Sequence, residues 1–482
     1  MQRTDSITVR GVDVSDDWLH RRFFVGAIGV MLTLGATWGT MLLWQIARAG
    51  HFTSLSVQAV NAHGSAQLFG WVGLFVMGAA YTGLPGVWGA RIYRRGMANL
   101  VLGLTVAGIT LTTVGVSVRE RVASGNGIAV MGALLHVIAV TIFVGQILIT
   151  WSRSRARVDV FTGFVFSGLF WFLGMSVLNA WHTFTTLAAG GFAELVWYVS
   201  TYQAPLRDMQ IHGLALIAVL GVSVKVLPGL LGVSRPSERR GWWVLGILNV
   251  AVALECVIFV AYRWSDNHVV AAFLMVPWIL LCVGIWMVVG SWRLWRRFPV
   301  ADGVGAFVRA GYAWLAVSLL MLVMLPVYTA AVGLPFSHAY YGAIRHAITV
   351  GFVSVMIMGL SVRLVPGARG VSWRGMMVAL VLVNLGCGVR VVSQALTDTV
   401  PGAFSVIGVS GVLELIGFGW WAVNLVKVMW TRPVESGNLS KYPARQEPRP
   451  PFEPNLASPS RKWGRKMDKE VRNLELARTE HG

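Results

Sequence analysis

Charged residues and cysteines are the two classes in which this sequence is poor. Only 13% of its 482 residues are charged and 55% are hydrophobic, whereas soluble domains carry about 25% charged residues. The three cysteines, Cys256, Cys282 and Cys387, all fall inside long apolar stretches. The scarcity of charge argues against a soluble protein, and the cysteine placement excludes a disulfide framework and a CxxC metal site.

Apolar runs of about 20 residues recur along most of the chain, and each is long enough to cross a bilayer core of roughly 30 Å. In lipid, backbone amides must be paired within their own segment, so these runs predict α-helices. We therefore predict an all-α, polytopic membrane protein with about twelve transmembrane helices. The predicted spans lie near residues 24–46, 66–84, 97–117, 127–150, 160–187, 210–231, 242–262, 269–291, 310–332, 346–365, 375–396 and 402–428.

The net charge of +19 would suit a nucleic-acid ligand, but its distribution indicates membrane topology instead. Arginines concentrate at the N-terminus and in every second connection, so the positive-inside rule places both termini in the cytoplasm. Residues 1–22 lack the apolar core of a signal peptide, and we expect the first span to direct insertion. The predicted organisation is a cytoplasmic segment (1–22), a transmembrane domain (23–430) and a basic, Pro-rich tail (431–482) that is disordered and faces anionic lipid.

One sequence pattern occurs three times. A histidine precedes a glycine-rich apolar helix, which ends in LPG or VPG, two further residues and another glycine. The copies run NAHGSAQLFGWVGLFVMGAAYTGLPGVWG from residue 61, MQIHGLALIAVLGVSVKVLPGLLG from residue 209 and IRHAITVGFVSVMIMGLSVRLVPGARG from residue 344. Three helices that each present one imidazole from the same end predict a metal or haem site inside a helix bundle.

The predicted topology gives each histidine a depth. His63, His212 and His346 open their helices and would lie near the outer surface, while His136 and His182 lie further along neighbouring spans as secondary ligand candidates. A histidine near a helix end is also a common interfacial residue, and glycines on these helices fit either close approach to a flat macrocycle or helix packing. Three further histidines, His51, His268 and His338, fall in predicted outer connections.

Ionisable residues inside spans are costly and are rarely without a role. Arg390 and Arg345 lie at the level of the histidines and could hold haem propionates; alternatively, Arg390 pairs with Glu255 or Glu414. Gln67 follows His63 by four residues and could bind a ligand or line a cavity. Asp208 precedes His212 by four residues and could accept its second ring proton or cap the helix. Lys225 and Arg363 suit anchors at the inner surface.

Two motifs resemble those of the NnrS family. His-Gly-Ser-Ala-Gln-Leu-Phe-Gly at residues 63–70 resembles its second-helix signature, His-x-His-Glu-Met-Leu-Phe-Gly. The run His346-Ala-Ile-Thr-Val-Gly351, with Met358, Gly359 and Arg363, is similar to its late signature. Twelve helices and a cytoplasmic N-terminus also resemble the catalytic subunit of haem-copper oxidases and nitric oxide reductases.

The resemblance implies a bacterial plasma-membrane protein that binds haem of the b type, with copper as an additional metal, and is linked to nitric oxide metabolism or resistance. Ser65 stands at the second histidine position of the NnrS signature and Ala66 at its acidic position. The tenth span also lacks the His-x-His, and the region after the seventh span lacks the His-His, that supply oxidase ligands. The implied site is therefore one or two imidazole-ligated haems, with the copper site left open.

The leading hypothesis is a haem protein that binds or turns over a small gas such as nitric oxide, or passes electrons to a redox partner. If it is an enzyme, it is an oxidoreductase. Its axial ligands are predicted to be His63 and His346, with His212 for haem or copper. Two alternatives remain: a twelve-span secondary transporter, which should show paired halves and broken helices, and an assembly factor for another haem protein.

Overall fold

Twelve long apolar helices make up the described part of the protein. The computed structural model describes residues 19–300, 302–365 and 371–430, and these residues contain no β-strand. The prediction of a twelve-span, all-α membrane protein is confirmed, while the tail at 431–482 lies outside the described residues. The helices are α1 (Leu19–Ala49), α2 (Val57–Trp88), α3 (Met97–Val118), α4 (Gly125–Ser152), α5 (Val160–Ala188), α6 (Phe192–Leu231), α7 (Glu238–Ser265), α8 (His268–Trp292), α9 (Val304–Val332), α10 (His338–Leu364), α11 (Trp373–Leu396) and α12 (Ala403–Trp430).

The twelve helices form three consecutive units of four, α1–α4, α5–α8 and α9–α12. Within each unit the first helix packs on the second, and the third packs on the fourth. Between units, α4 contacts α5, α8 contacts α9, and α12 returns to contact α1. The chain therefore closes on itself as a ring of three similar units, so the triple sequence pattern belongs to a triplicated architecture.

The second helix of each unit lies at the centre of the ring. Helices α2, α6 and α10 contact one another and contain unbroken runs of buried residues at 68–75, 210–217 and 351–362. A helix at the edge of a bundle buries only one stripe, whereas a helix buried on every face is surrounded by other helices. The three helices that carry the recurring histidines are thus the inner helices.

A glycine on each inner helix packs against a phenylalanine of the first helix in the same unit. A Cβ atom on Gly78, Gly221 or Gly359 would lie within 2.7, 2.7 and 2.5 Å of the Cβ atoms of Phe23, Phe164 and Phe307, respectively. Small residues allow helices in lipid to approach closely. The close approach at these three positions fixes the spacing between the first and second helices of every unit.

The Pro-Gly segments end two of the inner helices as the sequence predicts. Pro85 and Pro228 lie in the last turns of α2 and α6, and their carbonyl groups accept hydrogen bonds from the amides of Gly89 and Gly232. Both glycines have positive φ values, 62° and 69°, which disfavour other residues. Most of the third Pro-Gly segment, at 366–370, lies outside the described residues.

Candidate functional site

A π-helical segment accompanies each of the three recurring histidines. These segments are Ala66–Gly73 in α2, Met209–Leu216 in α6 and Ala347–Ser354 in α10. His63 precedes the first by three residues, His212 lies within the second, and His346 immediately precedes the third. A fourth π segment, Met31–Thr37, lies in α1. Because π turns are rare and frequently mark functional sites, the structure distinguishes these positions from the rest of each helix.

The three histidines lie deeper in the bundle than the sequence predicts. The expectation that they open their helices is wrong, because α2, α6 and α10 begin earlier, at Val57, Phe192 and His338. His63 is six residues and His346 eight residues inside its helix, which corresponds to about 9 and 12 Å at 1.5 Å per residue. The turns before the histidines contain polar residues, such as Gln58 and Asn61 before His63. The apolar runs are therefore shorter than the helices that contain them. His268 and His338 likewise begin helices α8 and α10 instead of lying in connections.

Glycines next to the histidines serve helix packing. A Cβ atom on Gly213 would lie 2.8 Å from Cγ of Trp171, and one on Gly351 would lie 2.4 Å from Cγ of Trp314. The indole groups of Trp171 and Trp314 donate hydrogen bonds to the side chains of Asn249 and Asn384, at 2.8 and 2.7 Å. The sequence left open whether these glycines allow helices to pack closely or make room for a flat macrocycle. At Gly213 and Gly351 they allow close helix packing.

His63 is held by the neighbouring helix α1. Its Nδ1 atom lies 3.1 Å from the carbonyl oxygen of Gly35, and a Cβ atom on Gly39 would come within 2.5 Å of its Cε1 atom. The side chain of Gln67 lies beside the same Gly35 residue. Donation from Nδ1 to a carbonyl group fixes the ring orientation and leaves Nε2 as the nitrogen that can bind a metal.

His346 lies beside helix α12. Its Nε2 atom is 3.4 Å from Oε2 of Glu414, and Glu414 interacts electrostatically with Arg390 of α11. Oε1 of Glu414 and two nitrogens of Arg390, Nε and Nη1, are buried without a hydrogen-bond partner. No ion pair or hydrogen bond joins Arg390 to Glu414 or Glu255 among the described residues, so the predicted alternative in which Arg390 pairs with one of these carboxylates stays a prediction.

His63 and His346 lie on inner helices that contact each other. The electrostatic environment of His63 includes His346, Arg207 and Arg390. The side chain of His346 is 22% exposed although α10 is among the most deeply buried helices. His63, His346, Arg390 and Glu414, with Gln67, are referred to below as the α2–α10 cluster.

His212 belongs to a second buried cluster, between α6, α7 and α10. Its Nδ1 atom is 2.8 Å from Oε2 of Glu255, and both side chains are buried. Asp208, which the sequence predicted as the partner of His212, instead lies 3.5 Å from Arg345 and 3.4 Å from the Tyr341 hydroxyl group. The prediction was wrong about the hydrogen-bond acceptor because Glu255 lies on α7, and spacing within one helix cannot reveal it.

The two predicted propionate-binding arginines lie in different clusters. Arg390 is in the α2–α10 cluster, whereas Arg345 contacts Asp208 and stacks on the Tyr341 ring with its guanidinium carbon 4.3 Å from the ring centroid. Near the predicted inner ends of the helices, Lys225 is 3.9 Å from Asp159, and Arg363 pairs with Asp302. These latter contacts fit the predicted anchoring role of Lys225 and Arg363.

The remaining histidine candidates occupy separate positions. His136 is buried and its ring stacks on Phe69, with centroids 4.7 Å apart and ring planes 4° from parallel. His182 is also buried and interacts electrostatically with Arg207. Arg207 precedes the apolar run at 210–231, yet it is buried inside α6. The polar residues within the segment 203–210 are the sequence feature that distinguishes this part of α6 from an ordinary apolar span.

No protein-family model matches this chain, and no curated protein matches it at a significant level. Within residues 19–300, 302–365 and 371–430, no three His, Cys, Asp or Glu side chains converge in a way that could hold a metal ion. A copper centre with three side-chain ligands therefore has no matching donor set in this part of the chain. Haem iron needs only one or two axial ligands from the protein, so the pair His63 and His346 is unaffected.

Proposed function

We propose that this protein is a haem-binding, multi-pass membrane protein of the bacterial plasma membrane, with His63 and His346 as the axial ligands of a b-type haem. The observation that carries the proposal is the position of these two histidines on inner helices α2 and α10, which contact each other and each contain a π-helical segment beside the histidine. Two histidines on facing helices are a common way for a helix bundle to hold haem.

The side chains around the two histidines fit such a ligand. The Gly35 carbonyl group orients His63 with Nε2 available, and Gly39 provides space beside the imidazole. Arg390 supplies two buried nitrogens without a partner, which suit a propionate carboxylate. Glu414 faces His346 and would hold its ring or a nearby proton. A haem held by both histidines would supply one-electron transfer, whereas a haem held by only one of them would also leave a position for a small gas.

The link to nitric oxide rests on the motifs at 63–70 and 346–363 that resemble the NnrS family. Under this proposal the protein binds or reduces nitric oxide, or passes electrons to a redox partner. The transporter alternative has less support, because the helices form three similar units instead of two paired halves. An assembly factor for another haem protein would have the same bundle without retaining haem after purification.

An absorption spectrum of the purified protein tests the proposal. After expression with added haem, we expect a Soret band and, after dithionite reduction, the α-band of a b-type haem. His63→Ala and His346→Ala should each lower the haem-to-protein ratio about tenfold or more, since each removes a ligand. His51→Ala is the matched control, because His51 is an exposed histidine whose ring bonds only locally to Thr53.

Two results would contradict the proposal. One is well-folded protein, expressed with added haem, that has no visible absorption. The other is a full haem content in both His63→Ala and His346→Ala. Size-exclusion profiles that match the unsubstituted protein confirm that a lower haem content does not result from unfolding.

A further inference from the structure

Arg207 is a buried cation without a carboxylate partner in the described part of the chain. Its guanidinium group donates to Oε1 of Gln210 at 2.7 Å and to Oδ1 of Asn61 at 2.8 Å, and both acceptors are neutral amides. The charged group that interacts with it electrostatically is a second cation, Arg345. A buried charge is stable only when an opposite charge or a full set of dipoles compensates it.

The buried carboxylates of the two clusters described above are engaged elsewhere. Asp208 contacts Arg345, although it is the next residue in the sequence. Glu255 contacts His212, and Glu414 interacts with His346 and Arg390. None of the three forms an ion pair with Arg207, so the positive charge of this guanidinium group is left uncompensated within α2, α5 and α6.

Two other buried side chains, those of Gln210 and His182, each contain a nitrogen atom without a hydrogen-bond partner. Nε2 of Gln210 has no hydrogen-bond partner, although Oε1 of the same side chain accepts from Arg207. Nε2 of His182 also has no partner, and this imidazole interacts electrostatically with Arg207. Both side chains are more than nine-tenths buried. An amide nitrogen and an imidazole N–H group beside a guanidinium group are hydrogen-bond donors that an anion could accept.

The space around the guanidinium group limits the size of a ligand. A Cβ atom on Gly64 would lie 2.6 Å from a guanidinium nitrogen of Arg207, so α2 covers that side closely. Asn61, which accepts from Arg207, also lines an adjoining cavity of ≈ 20 Å³, but Arg207, Gln210 and His182 are not part of its wall. Because α2 approaches the guanidinium group so closely, the ligand should be a small ion.

We propose that Arg207, Gln210 and His182 form a binding site for a small inorganic monovalent anion, such as chloride or nitrite, within the outer half of the membrane domain. The anion would balance the buried charge of Arg207 and accept hydrogen bonds from the three side chains. The site adjoins the haem site proposed at His63, because Gly64 packs on the Arg207 guanidinium group, but it uses different side chains and its existence does not depend on that haem.

Anion-dependent thermal stability tests this site. Protein purified in gluconate buffer is titrated with chloride and with nitrite, and the Tm is followed by tryptophan fluorescence. An anion that binds only the folded state raises the Tm as its concentration rises. Arg207→Gln should reduce the apparent anion affinity by on the order of tenfold or more. Arg48→Gln is the matched control, because it removes the same charge from an exposed position at the end of α1.

Equal anion-dependent Tm shifts in Arg207→Gln and in the unsubstituted protein would overturn the proposal, as would the absence of any shift. If Arg207→Gln does not fold, bromide-soaked crystals of the unsubstituted protein decide the matter. An anomalous peak in hydrogen-bonding contact with the guanidinium group supports the site. The absence of a peak there, or density for a cofactor carboxylate in its place, contradicts it.

Discussion

The imidazole of His212 and the carboxylate of Glu255 lie 2.8 Å apart in the interior of the bundle, although 43 residues separate them in the sequence. The pair joins inner helix α6 to α7, the third helix of the same unit. Both side chains are buried, so neither can exchange its partner for water.

Removing one member of this pair should be costly. Either His212→Leu or Glu255→Leu leaves the other polar group buried without its partner, and we expect a loss of about 3 kcal/mol in the free energy of unfolding. The double variant His212→Leu/Glu255→Leu should lose clearly less than the sum of the two. Thermal unfolding in detergent measures this cycle, and additive losses would show that the two groups are not coupled.

A larger side chain at position 39 should displace the imidazole of His63. A Cβ atom at this position would come within 2.5 Å of Cε1 of His63, whereas one on Gly29 of the same helix would meet no atom within 4 Å. Gly39→Val should displace the imidazole and lower the haem content of the purified protein severalfold, since an axial ligand would move. Gly29→Val is the control and should leave the absorption spectrum unchanged. Equal haem content in both variants would contradict the assignment of His63 as a ligand.

Contacts between glycine and phenylalanine should be equally important in all three units. Gly78→Val, Gly221→Val and Gly359→Val each force a side chain against the paired phenylalanine, and we expect losses of about 1–3 kcal/mol. Substitutions at Gly83 and Gly229, which have open space around them on α2 and α6, provide the matched controls. Thermal stability in detergent measures the difference. A loss confined to one of the three units would argue against equivalent packing in the triplicated architecture.

The predicted topology can be tested with single cysteines in a background from which the three native cysteines are removed. Ser124 lies in the connection between α3 and α4, and Ser154 lies between α4 and α5. Because arginines concentrate in the second of these connections, we expect Ser124→Cys to react with a membrane-impermeant maleimide in intact cells. Ser154→Cys should react only after the membrane is permeabilised. The reverse pattern would place the N-terminus outside.

The twelve spans could be predicted because the bilayer imposes a simple requirement on each segment separately. A run of about 20 apolar residues is sufficient to identify a span, wherever the segment lies in the bundle. The helix ends were less accurate at α6, which begins at Phe192 instead of near residue 210 and contains Arg207 and Asp208 in its interior. These residues are charged yet buried, and hydropathy alone assigns such residues to a connection.

Sequence alone determined that the protein is a twelve-span helical membrane protein and that three of its helices repeat a histidine near the same end. Tertiary structure decided which side chains meet: Gly35 with His63, Glu255 with His212, Glu414 with His346, and only neutral partners for Arg207. The physical reason is that sequence fixes the depth of a residue along its helix but not the rotation of that helix. Each π-helical segment changes the rotation further, so packing between helices determines which groups share a site.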